Sequence, residues 1–293
     1  MPLDRLDHLA FGIFDPASVR DAWRSLGFET TPLGVCRWSA AGADQAAACV
    51  SVVFQTHYLD FVELTRSSWL ERRVSSPLYA QGVAASAVVL SASSLERALD
   101  HVDALGFPSQ PAYEIQRELE GRPDEAMCYR FFSVARSSIA IPISAIEDSA
   151  PERLRQDRWL SHPNRATGIA ALHFRVADAA ATAGALSRLA GSLRERTLKP
   201  VTDCPLGETR VFFHTAPASD YLAEIHGLIP ENQPTALLAI EFRTSSLSAA
   251  EVGLQASGIT YRQLGIDRIA VAPMEGYGCG IIFVPNEGAR DPL

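Results

Sequence analysis

The sequence predicts an α+β fold assembled from four β-α-β-β-β modules. Three observations carry that reading. A strand, turn, helix and stop open the chain, from Leu6-Asp7-His8-Leu9 through Asp15-Pro16 to Leu26-Gly27-Phe28. The same outline returns around Val88, His173 and Glu241. Roughly the same interval separates each key strand position from a helix-stopping glycine: His8 to Gly27, Val88 to Gly106, His173 to Gly191, Glu241 to Gly258. Self-similarity at a fixed period marks duplicated supersecondary structure. These units are too long and too few for a solenoid.

Each element follows from local chemistry. In the first unit Asp15 suits an N-cap and Pro16 the first helical position. Val19, Ala22, Trp23 and Leu26 then recur at helical spacing, and Gly27 supplies a left-handed stop. Residues 49–54 and 58–64 read as strands joined by a short turn, with a further strand near 30–38. In the second unit Ala87-Val88-Val89-Leu90 is a strand, Ser94 caps a helix, and Leu105-Gly106-Phe107 repeats the earlier stop. Strands are expected at 127–134 and 138–143. The third unit opens at Ile169-Ala170-Ala171-Leu172-His173-Phe174-Arg175-Val176, and Asp178 caps an Ala-rich helix. Strands follow at Thr209 to His214 and at Tyr221-Leu222-Ala223-Glu224-Ile225-His226. The fourth opens at Leu238-Ala239-Ile240-Glu241-Phe242-Arg243, with a helix from about Ser248 and later strands at 268–272 and 280–284. The expected organisation is an N-terminal domain over 1–147 (modules about 3–66 and 83–147) and a connector over 148–167. A C-terminal domain over 168–293 follows (modules about 168–230 and 235–285). The tail 285–293 reads as loop.

The 293 residues suffice for a substantial core. A formal net charge of -8 argues against nucleic acid or an anionic membrane as the main partner, since both need a basic footprint. No apolar run approaches a membrane span, and no signal-peptide core follows the N-terminus. A cytoplasmic protein is expected. Cys36, Cys49, Cys128, Cys204 and Cys279 are scattered and odd in number, which disfavours both a zinc-thiolate site and a disulfide framework. They read as buried, reduced thiols, with Cys279 between two glycines the more exposed. The sheet of a β-α-β-β-β unit has one face on its helix, so its other face must meet a partner unit or line a pocket.

The opening Leu6-Asp7-His8-Leu9 with Asp15-Pro16, and His162-Pro163-Asn164 ahead of a renewed strand, resemble the vicinal oxygen chelate superfamily and its glyoxalase-like domain proteins. That resemblance implies modules paired into cupped mixed sheets with helices outside. It implies a divalent metal (zinc, nickel, iron or manganese) held by first-strand and last-strand side chains. The metal would bind neighbouring oxygens of a small substrate and stabilise an oxyanion. Lyase, isomerase or related chemistry would follow. A metal-free binding protein of the bleomycin-resistance type is the alternative, and a homodimer one expected assembly.

By position the resemblance makes His8 and His173 first-strand ligands, and Glu63 and Glu224 last-strand ligands that also serve in catalysis. All four share a site only if the first and third units pair. If neighbours pair, His8 and Glu63 stand apart from His173, Glu224 and Glu241. Asp60 and His226 are the register alternates, because a strand alternates faces at each residue. Each residue also has a plain structural role. A lone strand histidine is commonly a hydrogen-bonded core residue, Glu63 and Glu224 suit solvent faces, and Glu241 suits a pair with Arg243 or another arginine. His57 and His101 read as surface or helix-face residues, and His162 as a hydrogen-bonding connector residue. Arg72-Arg73 and Arg153, Arg155 and Arg158 read as solvated faces. Gly276-Tyr277-Gly278-Cys279-Gly280 lacks the lysine of a phosphate loop. The fourth unit carries Glu241 and an apolar last strand where an extradiol dioxygenase needs ligands, which counts against ring cleavage.

Overall fold

The computed structural model describes residues 3–40, 43–63, 83–135, 138–191, 196–198, 201–216, 219–227, 235–273 and 278–286. The segment between the first two expected modules, Gly276 and Tyr277 of the glycine-rich segment, and most of the tail lie outside them.

Neighbouring units pair. Strands β1 (Leu6–Ile13), β2 (Gly34–Ala40), β3 (Ala43–Val53) and β4 (Tyr58–Glu63) form the first unit with helix α1 (Pro16–Ser25). The second has β5 (Val83–Ser91), β6 (Tyr113–Leu119), β7 (Arg122–Ser133), β8 (Ile143–Asp148) and helix α2 (Leu95–Ala104). The two close into a barrel of order β1-β4-β3-β2-β6-β7-β8-β5. Strand β1 is the seam, parallel to β4 and antiparallel to β5.

The third unit comprises β9 (Ala166–Arg175), helix α4 (Ala179–Ala190), β10 (Arg196–Leu198), β11 (Val201–Leu206) and β12 (Thr209–His214). The fourth comprises β13 (Ala236–Thr244), helix α6 (Leu247–Ala256), β14 (Tyr261–Gln263), β15 (Ile269–Val271) and β16 (Gly280–Pro285). Together they form an eight-stranded sheet of order β10-β11-β12-β9-β13-β16-β15-β14. Helix α3 (Asp157–Leu160) lies between the halves in sequence.

Local chemistry sets the helices, three from the expected caps Asp15, Ser94 and Asp178 and the fourth from Ser246, ahead of the expected start near Ser248. Asp15, Ser94, Asp178 and Ser246 are N-caps whose side chains accept backbone N–H groups. Gly27 has φ of 85°, and a Cβ there would meet the Asn164 side chain at 2.9 Å. Both requirements favour glycine. Asn164 ties the connector to that stop: its N–H donates to the Gly27 carbonyl and its Nδ2 to that of Leu26.

One continuous apolar core joins the two halves. Leu9, Phe11 and Ile13 of β1 and Val19 and Trp23 of α1 belong to it with Leu186 of α4, Phe242 of β13 and Phe283 of β16. Phe28 and Phe242 have ring centroids 4.8 Å apart, within the range of favourable aromatic pairs. The barrel's interior and the second sheet's other face carry separate clusters.

Several local expectations change. The segment expected as a strand at 221–226 is helix α5 (Asp220–Gly227). Tyr221, Leu222 and Ile225 form a buried stripe at helical spacing, and Ser219 Oγ accepts the Leu222 N–H at the helix start. The slot beside β9 is already filled by β12. The last strand of the second unit is 143–148 rather than 138–143, and β6 was not among the expected strands. Cys279 is fully buried. His57 is buried too, its Nε2 accepting the Ile169 N–H at 2.6 Å across the junction between halves. His162 does act as a connector hydrogen-bonding residue: the Glu29 N–H donates to its Nδ1, and its Nε2 meets the Val53 carbonyl. Among the described residues no helix is long and apolar enough to cross a membrane.

Candidate functional site

Period-two alternation decides which side chains enter the barrel. On β1, Leu9 and Phe11 face the helices, while His8 and Ala10 line an interior cavity. On β4, Leu59 and Phe61 join the helical core, while Tyr58, Asp60 and Val62 line the cavity. The parallel register sets His8 beside Tyr58 and Ala10 beside Asp60. The cavity measures about 90 Å³, and its other walls include Trp38, Tyr113, Ile115, Tyr129 and Phe131. It is mostly apolar with a few convergent polar groups, the usual make-up of a small-molecule site.

Those polar groups are tightly organised. The Arg117 side chain is 1% exposed, and its Nη1 donates to Asp60 Oδ1 at 3.1 Å. Its Nη2 donates to Ser51 Oγ at 2.9 Å, and Ser51 Oγ donates to the same Asp60 oxygen at 2.7 Å. Arg117 Nε is buried and has no hydrogen-bond partner among the described residues. Burial opposes the charge on Arg117, but Cys49, Asp60 and Cys36 outweigh it, so the guanidinium is held above its ordinary pKa. Tyr129 donates its hydroxyl to the Met127 sulfur at 3.2 Å, a weak acceptor. Burial pushes the Tyr58 and Tyr129 hydroxyls up, so both stay protonated donors. His8 stacks on Tyr58 at 4.4 Å, and its Nδ1 lies 2.8 Å from Asp7 Oδ1. Arg155 in turn reaches Asp7 Oδ2 at 3.4 Å.

The second sheet places its chemistry differently. His173 on β9 contacts His214 on β12 through Nδ1 at 3.0 Å and Glu241 on β13 through Nε2 at 3.1 Å. All three are buried, His173 and His214 at 0% exposure. Desolvation pushes the Glu241 carboxyl up, but the His173 contact, with Arg268 and Arg210 nearby, more than compensates and leaves it below its ordinary pKa. Helix α5 packs on the adjoining part of this face through Tyr221, Leu222 and Ile225, against Leu238, Ala239 and Ile282. The Tyr221 hydroxyl donates to the Val271 carbonyl at 2.7 Å, and a Cβ on Gly280 would overlap that hydroxyl.

The four expected ligands are therefore distributed over separate places. His8 lines the barrel cavity. Glu63 is on the opposite face of β4 from Asp60, where its carboxylate accepts the Ala48 N–H. His173 sits in the other sheet. Glu224 is on the outer side of α5, 67% exposed and paired with Arg262 at 2.8 Å. The alternate Asp60 is the β4 carboxylate on the cavity wall with His8. The alternate His226 falls within α5. Glu241 pairs with His173 rather than with Arg243, which bonds the Glu208 carbonyl.

Two residues were missed that sequence patterning marks. Tyr113-Glu114-Ile115-Gln116-Arg117-Glu118-Leu119 alternates strictly, with Arg117 on the apolar face. Phe212 and His214 share a face of β12.

A divalent metal does not fit the barrel cavity. Its nitrogen and carboxylate donors are His8 and Asp60, and Asp60 is already neutralised by Arg117. A second cation beside that guanidinium in an apolar cavity carries a large desolvation and repulsion cost. In the second sheet both ring nitrogens of His173 are used within a linear relay. Among the described residues no group of three or more His, Cys, Asp or Glu side chains is arranged to hold a metal ion.

Paired β-α-β-β-β modules forming cupped sheets define the vicinal oxygen chelate superfamily. Residues 6–190 match the model of the glyoxalase-like domain, and the chain belongs to that family. No curated protein matches the sequence. Among solved structures, a hypothetical protein from Staphylococcus aureus aligns with TM-score 0.63 at 8% identity, over 96% of this chain and 98% of that one. A variant of 4-hydroxymandelate synthase from Streptomyces coelicolor aligns with TM-score 0.61 at 11% identity, over 100% and 95%. A Mn(II)-bound glyoxalase from Novosphingobium aromaticivorans aligns with TM-score 0.56 at 9% identity, over 98% and 83%. At such identities these likenesses establish the fold.

Proposed function

We propose that the chain binds a small, flat, largely apolar molecule in the barrel cavity without a metal, and that an acceptor oxygen on that molecule takes the Arg117 Nε–H. The observation that carries this reading is the orphaned Nε of a buried guanidinium on the wall of an aromatic cavity. A buried donor without an acceptor costs about 1–3 kcal/mol, which an incoming acceptor recovers. Tyr129, whose hydroxyl is held by a thioether, supplies a second donor. Trp38, Tyr113 and Phe131 supply flat apolar walls. His8, fixed by Asp7 and stacked on Tyr58, is the third polar anchor. An aromatic carboxylic acid or a phenol meets these requirements. Any turnover of such a ligand by His8 lies beyond binding and rests on the same pose.

The test is a titration of chelator-treated protein with benzoate, phenol and unsubstituted benzene, read by calorimetry and by Trp38 fluorescence. Binding of an oxygen-bearing aromatic, lost in Arg117→Met, is expected. Binding that appears only after a divalent metal is restored would overturn the reading in favour of metal-stabilised oxyanion chemistry.

A further inference from the structure

The barrel wall holds a second kind of chemistry that ligand binding does not use. Cys36 on β2 and Cys49 on β3 are diagonal neighbours, because the antiparallel register pairs Cys36 with Ala47 and Gly34 with Cys49. Their sulfurs are 3.4 Å apart, and Cys36 donates its S–H to Cys49. Cys36 lines the cavity, while Cys49 is fully buried.

We propose that Cys36 and Cys49 are a redox modification site, converted to a disulfide by a hydroperoxide that enters the cavity. The hydroperoxide is the oxidant. Its O–O bond breaks as Cys36 takes one oxygen to become a sulfenic acid, releasing the alcohol. The Cys49 thiol then attacks the Cys36 sulfur, the S–S bond forms, and the sulfenic oxygen leaves as water with the two remaining protons. Two thiols lose two electrons and the peroxide gains them.

Three features favour this pair over the other thiols. A resolving sulfur already touches the first, the arrangement expected of oxidisable cysteines. The cavity gives access to Cys36. Arg117 favours a thiolate in this pair. The hydrogen bond holds the Cys36 thiol up and eases the ionisation of Cys49. Cys49 is therefore the base beside Cys36 that takes its proton as Cys36 attacks the peroxide, and it is a thiol again for the second step. Cys204 and Cys279 are fully buried in the second half, and burial alone pushes the Cys279 thiol up. Diagonal strand neighbours are about 7–8 Å apart at Cα and somewhat less at Cβ. Closing the bond therefore draws β2 toward β3, moving the wall that carries Trp38. A disulfide closed against that resistance is readily reduced.

The experiment treats the full chain with tert-butyl hydroperoxide and maps cysteines by mass spectrometry. A Cys128→Ser background removes links between molecules through the exposed thiol. The expected result is a Cys36–Cys49 cross-linked peptide, with loss of two hydrogens in the intact mass, reversed by dithiothreitol. In Cys49→Ser a dimedone probe should label Cys36 several-fold more than in the parent. Recovery of both thiols free, under peroxide that oxidises Cys128 in the wild-type chain, overturns the proposal. So does a dimedone signal on Cys36 unchanged by Cys49→Ser. The peptide map needs no variant at either cysteine, so a misfolded Cys49→Ser leaves the test decisive. It is read without any aromatic ligand, so it stands or falls separately from the proposed binding function.

Discussion

The two halves share one module plan and differ in what occupies the concave face. In the barrel, β1 and β5 close the sheet around a cavity whose walls include Arg117 and Asp60. In the second sheet the chain after β12 turns back as α5 and packs Tyr221, Leu222 and Ile225 on the corresponding surface. Duplication kept the strand order around β1 and β9, because that order is set by backbone pairing and by the apolar face toward the helices. The other face was free to diverge. One half became a lined space, and the other a core carrying a sealed His214-His173-Glu241 relay.

The largest effect expected from breaking this contrast is at Arg117. Arg117→Met leaves Asp60 buried without its cation, and the loss of unfolding free energy in urea should be about 3–5 kcal/mol. A loss below about 1 kcal/mol would mean that the cavity's charge pair does not support the barrel. The matching change in the second half is Leu222→Ala. It removes packing from a fully buried position on α5 and should cost about 2–5 kcal/mol. If it costs nothing, α5 is a loosely seated cover rather than part of the core.

Acid should loosen the junction that holds the halves together. Burial, aided by Arg243 and Arg155, lowers His57 from 6.5 to about 3, and burial lowers His162 from 6.5 to about 4. Both use a ring nitrogen to accept a backbone N–H, so both must stay neutral. Above pH 6.5 neither state is protonated and there is no effect. As pH falls below 6.5 the unfolded chain takes up these protons first, so stability falls until the folded groups titrate near 4 and 3. The total across that window is on the order of a few kcal/mol. Glu241 adds to it at the acid end. Its lowered pKa gives stability that is present above the ordinary carboxylate value of 4.5 and is lost as pH falls through the lowered value. Unfolding curves from pH 7 to 4 should show this decline, and His57→Gln should flatten it. An unchanged slope in that variant would remove His57 from the account.

The smallest effect is expected at Glu224. Its pair with Arg262 is exposed, so Glu224→Gln should change stability by less than about 1 kcal/mol. It should also leave ligand binding in the barrel untouched. A marked loss of binding would return Glu224 to the site.

Four units, the caps Asp15, Ser94 and Asp178, the glycine stops, and His8 and His173 at matching strand positions are all legible in the amino-acid order. These are local matters of period, capping oxygen and left-handed glycine, legible within a dozen residues. Most of the strand spans followed for the same reason. Tyr221 to His226 did not, because a six-residue apolar and polar mixture fits both a strand and a short helix. The choice fell to which surface was left to cover once β12 had taken the place beside β9. The pairing of neighbouring units, which separates His8 from His173, emerges in three dimensions. The tertiary structure also decided that Asp60 rather than Glu63 faces the cavity, and that Arg117 reaches it from 57 residues away. Those outcomes depend on long-range strand register, where a shift of one residue exchanges the inside of a barrel for its outside.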